Sequence, residues 1–220
     1  MIFVGCGGDC LAMIIVIEGI SAAGKTTYAR QFGADHHVPE FPEQGTLPDD
    51  GDPAEVHASY WVEHNIRRFQ AALEAEAKYG FAICDTEPFK SHFDWCMAKA
   101  GFKSMDVFKA AMPLARDAIA EHRIGFGDLY LVKRIAPDVA RAQKEGDRTR
   151  TRRRFDMHLA LQPYLMCWYE ALAEVLPGRI EFAFPDKEAL LNRIKNKAPE
   201  ENPRRFDVSV LDALLERLPD

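Results

Sequence analysis

Residues 13–27 read MIIVIEGISAAGKTT, and this stretch decides the fold. Its opening residues form a short apolar run rich in β-branched side chains, which is typical of a buried parallel strand. From Gly19 to Thr26 the chain matches the phosphate-binding pattern G-x-x-x-x-G-K-[ST]. The residues up to Phe32 continue as a helix, which Gly33 ends. A strand, a glycine loop and a helix therefore follow one another in the order that a P-loop requires.

This loop predicts a binding site for a nucleoside triphosphate. The backbone N–H groups of such a loop and the positive end of the helix dipole point at an anion. Lys25 would supply charge for the β- and γ-phosphates, and the hydroxyl of Thr26 is the usual Mg²⁺ ligand. We therefore expect ATP and Mg²⁺ as cofactors. The predicted nucleotide-binding residues are Gly19, Ser21, Ala22, Ala23, Gly24, Lys25, Thr26 and Thr27.

The composition is that of an ordinary soluble globular protein, with 47% hydrophobic and 28% charged residues in a chain of 220. The formal net charge of -6 argues against a general nucleic-acid binder. No apolar stretch approaches the roughly 20 residues of a membrane span. Five cysteines without a CxxC pair are typical of reduced thiols in the cytoplasm. The oligomeric state stays open between a monomer and a homodimer.

The length favours one α/β domain over residues 13–220. P-loop proteins usually begin at their first strand, so we interpret residues 1–12 as an extension that contributes little to function. Apolar runs predict strands at 13–17, 37–41, 81–84, 129–132 and 179–184. Helices are expected over 54–79, over 91–123 with a break near Gly101, over 157–176, and after the last strand.

Alternating strands and helices predict a three-layer α/β/α fold of the P-loop NTPase type with a five-stranded, mostly parallel sheet. Ligands of such sheets bind beyond the carboxyl ends of the strands. The P-loop, Glu40 and Asp85 all fall at predicted carboxyl ends. Along the predicted helix 54–79, Trp61, His64 and Arg68 form a stripe that could line an acceptor pocket, although a tryptophan on such a helix more often packs in the core.

The order of these features resembles the thymidylate-kinase and deoxynucleoside-kinase branch of the P-loop kinases. The shared features are Glu18-Gly19 before the loop, the loop itself, acidic residues ending the second and third strands, and a late arginine-rich segment. The resemblance covers residues 13–185 in architecture, and only the P-loop is specific as sequence. It implies a kinase that transfers the γ-phosphate of ATP to a small-molecule acceptor, a nucleoside or nucleotide above all.

The chain departs from that family at the third strand, where Asp85-Thr86 stands in place of Asp-Arg or Glu-Arg. Phosphoryl transfer needs a carboxylate to orient and deprotonate the attacking hydroxyl. We expect Asp85 to position Mg²⁺ through water and Glu40 to act as this base. Because Thr86-Glu87-Pro88 is similar to a triplet that deoxynucleoside kinases carry on the preceding strand, Glu87 and Glu43 are alternative bases.

Residues 148–154 contain five arginines. A guanidinium holds phosphate oxygens bidentately and keeps its charge. In the resembled kinases a lid at this position closes over the triphosphate, which implies a lid near 146–156 with Arg150 and Arg154 acting on the transferred group. A solvated basic loop and a nucleic-acid contact patch are the alternatives.

Other functions remain open at the level of sequence. P-loop kinases also phosphorylate other small alcohols, antibiotics among them. The arginine-rich segment is the one feature that would suit a P-loop NTPase acting on nucleic-acid ends. A hydrolytic switch or motor is disfavoured, because no hydrophobic run ends in an Asp-Glu pair.

Overall fold

A five-stranded, all-parallel sheet organises the part of the chain that the structure, a computed structural model, describes: residues 12–40, 44–146, 154–196 and 204–219. Within these residues eight α-helices accompany the sheet. This α/β architecture is compatible with the predicted three-layer fold. The strands are β1 (Met13–Gly19), β2 (His37–Val38), β3 (Phe81–Asp85), β4 (Leu129–Lys133) and β5 (Ile180–Glu181). Their order in the sheet is β2-β3-β1-β4-β5.

The central strand β1 is buried on both faces, as its apolar sequence predicts. Side chains alternate across a strand, and here the alternation separates two hydrophobic clusters. Ile14 and Val16 pack into the larger cluster, whereas Ile15 and Ile17 pack into the smaller one. Helices must therefore cover both faces of the sheet.

The helices largely follow the predicted periodicity. Gly80 ends the long second helix with a φ of 86°, a left-handed conformation that favours glycine. None of the described helices is long and apolar enough to cross a membrane. The α-helices are α1 (Lys25–Ala29), α2 (Ala54–Tyr79), α3 (Ser91–Lys99), α4 (Asp106–Ala120), α5 (Pro137–Gly146), α6 (Phe155–Val175), α7 (Lys187–Asn196) and α8 (Val208–Leu215).

Two strands are shorter than predicted. β2 ends at Val38 rather than continuing to residue 41, since Pro39 has no N–H to donate to a sheet. β5 covers two residues rather than 179–184. Phe184 does not extend this strand but stacks on Tyr28, with ring centroids 4.9 Å apart, so side-chain packing draws the segment out of the sheet.

The strand order creates a crevice at one edge of the sheet. β1 and β4 are neighbours in the sheet. The connection that follows β1 leads to β2 on one side of the sheet, and the connection that follows β4 leads to β5 on the other side. Ligands of open parallel sheets bind where strand connections diverge in this way. The predicted P-loop follows β1 directly and therefore lies at this crevice.

Candidate functional site

The loop after β1 makes a tight turn that contains three residues with positive φ. Gly19, Ala22 and Gly24 have φ values of 150°, 70° and 88°. A Cβ at Gly19 would lie 2.9 Å from the carbonyl oxygen of Lys133 and 3.0 Å from the Cβ of Ala23, so only glycine fits there. The loop thus packs directly against the end of β4, and successive backbone N–H groups can turn toward one anion.

The amino group of Lys25 folds back onto this loop. Its Nζ donates hydrogen bonds to the carbonyl oxygens of Gly19, at 2.6 Å, and Ile20, at 3.2 Å. Burial lowers the pKa of Lys25, and the nearby carboxylate of Glu18 opposes this effect. The ammonium group is therefore held against the first residues of the loop. Ala22 and Ala23 are buried, Ser21 and Thr26 are half-buried, and Gly24 and Thr27 are exposed.

Glu18 connects the carboxyl ends of β1 and β3. Its carboxylate accepts hydrogen bonds from the backbone of Gly19 (2.8 Å) and Glu87 (3.0 Å) and from the hydroxyl of Thr86. Burial alone would raise the pKa of Glu18, but the charges of His92 and Lys25 and these hydrogen bonds lower it to about 2. Glu18 is thus an ionised buried carboxylate that fixes the start of the loop.

Glu87 lies in a closed polar cluster behind this contact. Glu87 is buried, and its Oε2 accepts a hydrogen bond from the hydroxyl of Tyr169 at 2.5 Å. The imidazole of His92 lies between two carboxylates, 3.4 Å from Glu87 and 3.7 Å from Glu18. An acceptor molecule has little access to a carboxylate enclosed in this way, which favours Glu40 over Glu87 as the base.

Asp85 ends β3 and pairs in register with Ile17 of β1. Its carboxylate is buried, lies 3.8 Å from Nε2 of His37, and is close enough to Lys25 to raise the pKa of that ammonium. Carboxylate and hydroxyl oxygens are the donors that Mg²⁺ prefers, so Asp85 and Thr26 have suitable chemistry.

The described residues contain no group of three or more His, Cys, Asp or Glu side chains that could hold a metal ion. This does not conflict with a Mg²⁺ site at the loop. In nucleotide sites Mg²⁺ usually takes one or two protein ligands, and phosphate oxygens and water complete its coordination. The donors fit an ion that arrives with a triphosphate rather than a permanent metal centre.

Glu40 follows β2 at the same edge of the sheet and is open to solvent. Its side chain is 54% exposed and forms an ion pair with Lys90. Burial would raise the pKa of Glu40, but the charges of Lys90, Arg68 and Lys25 lower it. The ammonium group of Lys90 also lies 5.5 Å from the centre of the Phe93 ring. Glu40 is thus an accessible carboxylate within a group of cations.

The predicted acceptor-side residues of α2 lie on one helix face. Trp61 is half-buried and meets His64 edge-to-face, with ring centroids 5.7 Å apart. His64 and Arg68 are buried. Arg68 reaches the end of β3, where its Nη2 donates a 3.3 Å hydrogen bond to the carbonyl oxygen of Thr86.

The start of α6 lies beside the same group of charges. The ring centroid of His158 is 5.9 Å from that of Phe93. Burial and the charges of Lys25 and Lys90 lower the pKa of His158 to about 4. Arg154 is exposed and directly precedes α6. Most of the predicted lid with Arg150, the alternative base Glu43, and residues 1–11 lie outside the described residues.

Several site residues were not found by sequence reasoning. His92, Tyr169 and His158 belong to α3 and α6, and no motif marks them. His37 has no motif around it either, and its Nε2 is buried beside Asp85. Glu18 did carry a signal, because an acidic residue that interrupts a buried apolar strand needs partners.

Comparison with known proteins assigns the chain to no family, because no model of a known protein family matches it and no curated protein matches it significantly. The loop, the carboxylates and the cations at the carboxyl edge of the sheet therefore carry the functional inference.

Proposed function

We propose that this chain is a P-loop kinase that transfers the γ-phosphate of ATP to a small-molecule acceptor, a nucleoside or nucleotide above all. One observation carries the proposal: a G-x-x-x-x-G-K-T loop in a tight left-handed conformation follows the central strand of a parallel sheet, with Lys25 folded onto it. The position of this loop at the carboxyl edge of the sheet, where ligands of parallel sheets bind, supports the same proposal.

On the nucleotide side, the backbone N–H groups of residues 20–25 would bind phosphate oxygens, and Lys25 would exchange its carbonyl partners for them. Glu18 holds the loop in place and keeps its own charge away from solvent. Thr26 and Asp85 would hold Mg²⁺, which neutralises phosphate charge when it is bound.

On the acceptor side, Glu40 would orient the attacking hydroxyl and accept its proton. Phosphoryl transfer depends mainly on positioning and charge neutralisation, so an ionised carboxylate fixed by Lys90 suits this role. Arg154 and His158 lie at the start of α6. Arg154 would stabilise the charge that develops during the transfer.

The proposal is tested by following ADP formation and product phosphorylation with ATP, Mg²⁺ and a panel of nucleosides and nucleotides. Lys25→Ala should reduce turnover roughly 100-fold or more, because it removes the cation nearest the transferred phosphate. Lys109→Ala, an exposed lysine on α4, is the matched control and should retain full turnover. Equal turnover by the two variants, or no phosphorylated product with any acceptor, would contradict the proposal.

A further inference from the structure

Arg68 is a buried cation whose hydrogen-bonding capacity is largely unused. Its side chain is 2% exposed. One hydrogen bond, from Nη2 to the carbonyl oxygen of Thr86, holds it at 3.3 Å. Both Nε and Nη1 are buried, and within the described ranges neither has a hydrogen-bond partner. Among the described residues no carboxylate oxygen lies within ion-pair distance of the guanidinium.

Such an arrangement is costly for the protein alone. A charged group taken out of water loses its hydration, and only a counter-ion and hydrogen bonds compensate for that loss. Arg68 is close enough to Glu40 to help lower the pKa of that carboxylate, but Glu40 is already paired with Lys90. Within the described residues the guanidinium therefore lacks a charge partner.

The location of Arg68 indicates what could pair with it. The side chain extends from α2 to the carbonyl that follows β3, at the edge of the sheet where Glu40 and Lys25 also lie. Trp61 and His64 precede Arg68 on the same face of α2, at the spacing of successive helical turns. An acceptor could place a ring or apolar body against Trp61 and an anionic group at Arg68.

We propose that Arg68 binds an anionic group carried by the acceptor. The substrate is then a phosphate monoester or a carboxylate, and not a neutral alcohol. A planar guanidinium binds either group bidentately. In the part of the chain that the structure describes, one long hydrogen bond holds Arg68, so its flexible side chain can turn from the Thr86 carbonyl toward a ligand. This inference rests on the proposed kinase function and adds the chemical class of its substrate.

Calorimetric titration tests the inference with the P-loop already filled. Each protein is saturated with Mg²⁺ and a non-hydrolysable ATP analogue, and methyl phosphate or acetate is then added. We expect the wild type to bind at least one of these anions and Arg68→Gln to bind it roughly tenfold to a hundredfold more weakly. Arg67→Gln, the neighbouring half-buried arginine of α2, should bind like the wild type. The tighter anion identifies the group as phosphate or carboxylate.

The outcomes separate this inference from the kinase proposal. Failure of the wild type to bind the ATP analogue would contradict the kinase proposal. Normal analogue binding with no anion binding, or with equal anion affinity in wild type and Arg68→Gln, would overturn the role of Arg68 alone.

A stability measurement provides a second test. Arg68→Met removes a buried charge that no described carboxylate pairs with, while keeping much of the side-chain volume, so we expect an unchanged or higher melting temperature. A fall of several degrees would show that Arg68 is a structural residue and would overturn the inference.

Discussion

Glu18 illustrates how one buried side chain can be both structural and electrostatically important. Three hydrogen-bond donors from two strand ends converge on its carboxylate. The charges of His92 and Lys25, together with these hydrogen bonds, keep the group ionised although burial opposes the charge. The start of the P-loop is therefore joined to the end of β3, where Asp85 lies, and to the polar cluster around Glu87 that follows it.

This arrangement predicts a defined acid sensitivity. The pKa of Glu18 is about 2 in the folded chain and 4.5 in the reference state, so its contribution to stability is complete above pH 4.5 and disappears toward pH 2. The contribution is about 3 kcal/mol. We would measure the free energy of unfolding by denaturant at a series of pH values. Glu18→Gln should be less stable than the wild type, and this difference should shrink as the pH falls from 4.5 toward 2. Glu55→Gln, a change at an exposed residue, is the control and should be about as stable as the wild type at every pH. If the unfolding free energies of wild type and Glu18→Gln changed in parallel with pH, the lowered pKa of Glu18 would be contradicted.

The two candidate bases can be distinguished at the same scale. Glu40→Gln should lower turnover roughly 100-fold or more, because the general base is lost, while stability changes little at this exposed site. Glu87→Gln should instead lower the unfolding free energy by about 1–3 kcal/mol, since an amide replaces a carboxylate that accepts buried hydrogen bonds. Turnover and denaturant unfolding of both variants provide the check. If Glu40→Gln kept full turnover while Glu87→Gln was stable but inactive, Glu87 would be the base and Glu40 would not.

At the scale of elements, α6 connects the core to the candidate site. Near the end of α6, the hydroxyl of Tyr169 donates a hydrogen bond to Glu87. Near the start of α6, His158 lies close to the charges of Lys25 and Lys90. Pro163 lies inside this helix without ending it. The position of α6 therefore depends on the same polar cluster that fixes the loop.

The proximity of α6 to the site predicts a change in the titration of His158. Its pKa is about 4 because of burial and because Lys25 and Lys90 repel the protonated form. A bound triphosphate would offset those positive charges, so the pKa should rise. NMR titration of the imidazole with and without the ATP analogue measures this shift, and neutral adenosine serves as the control. An unchanged pKa with the triphosphate would place His158 away from it.

At the scale of the whole molecule, the end of the sheet opposite the site is closed by the C-terminal segment. Arg205 donates two hydrogen bonds to Glu76 of α2, at 2.7 and 2.6 Å, and pairs with Asp128 before β4. Asp128 in turn accepts from the backbone N–H of Ile14 at 2.7 Å. This network links α2, β1, β4 and the C-terminal segment far from the P-loop.

Loss of this network should affect stability but not nucleotide binding. Arg205→Ala leaves Glu76 and Asp128 as buried carboxylates without their cation, at a cost of about 3–5 kcal/mol. The melting temperature should fall by roughly 6–20 °C. Affinity for the ATP analogue, measured well below the transition, should match the wild type. The exposed Arg217→Ala should change stability by under about 1 kcal/mol. A fall in nucleotide affinity for folded Arg205→Ala would show that the two ends are coupled.

Local patterns were enough to predict the parts of the fold that depend on neighbouring residues. The β1 run, the loop to Lys25 and the helix that ends at Gly80 follow from burial, glycine conformation and helical period. The short β5 could not be predicted, because packing of Phe184 on Tyr28 draws the chain out of the sheet.

The same limit applies to the candidate site. The contacts of Glu18 with Thr86 and of Arg205 with Glu76 join residues far apart in the chain. These contacts form only when the chain folds, so the spacing of residues within a short stretch of sequence does not predict them. Sequence could therefore predict where the glycine loop lies, whereas the environment of Glu87, His92 and Arg68 required the structure.

Equilibrium binding of the ATP analogue with Mg²⁺, measured by calorimetry, tests the central claim most directly. The account predicts that the wild type and Lys109→Ala bind one analogue per chain with equal affinity. Lys25→Ala should bind it roughly tenfold to a hundredfold more weakly, because a charge-assisted contact with phosphate is lost. Absence of binding by the wild type, or equal affinity in Lys25→Ala, would contradict the account.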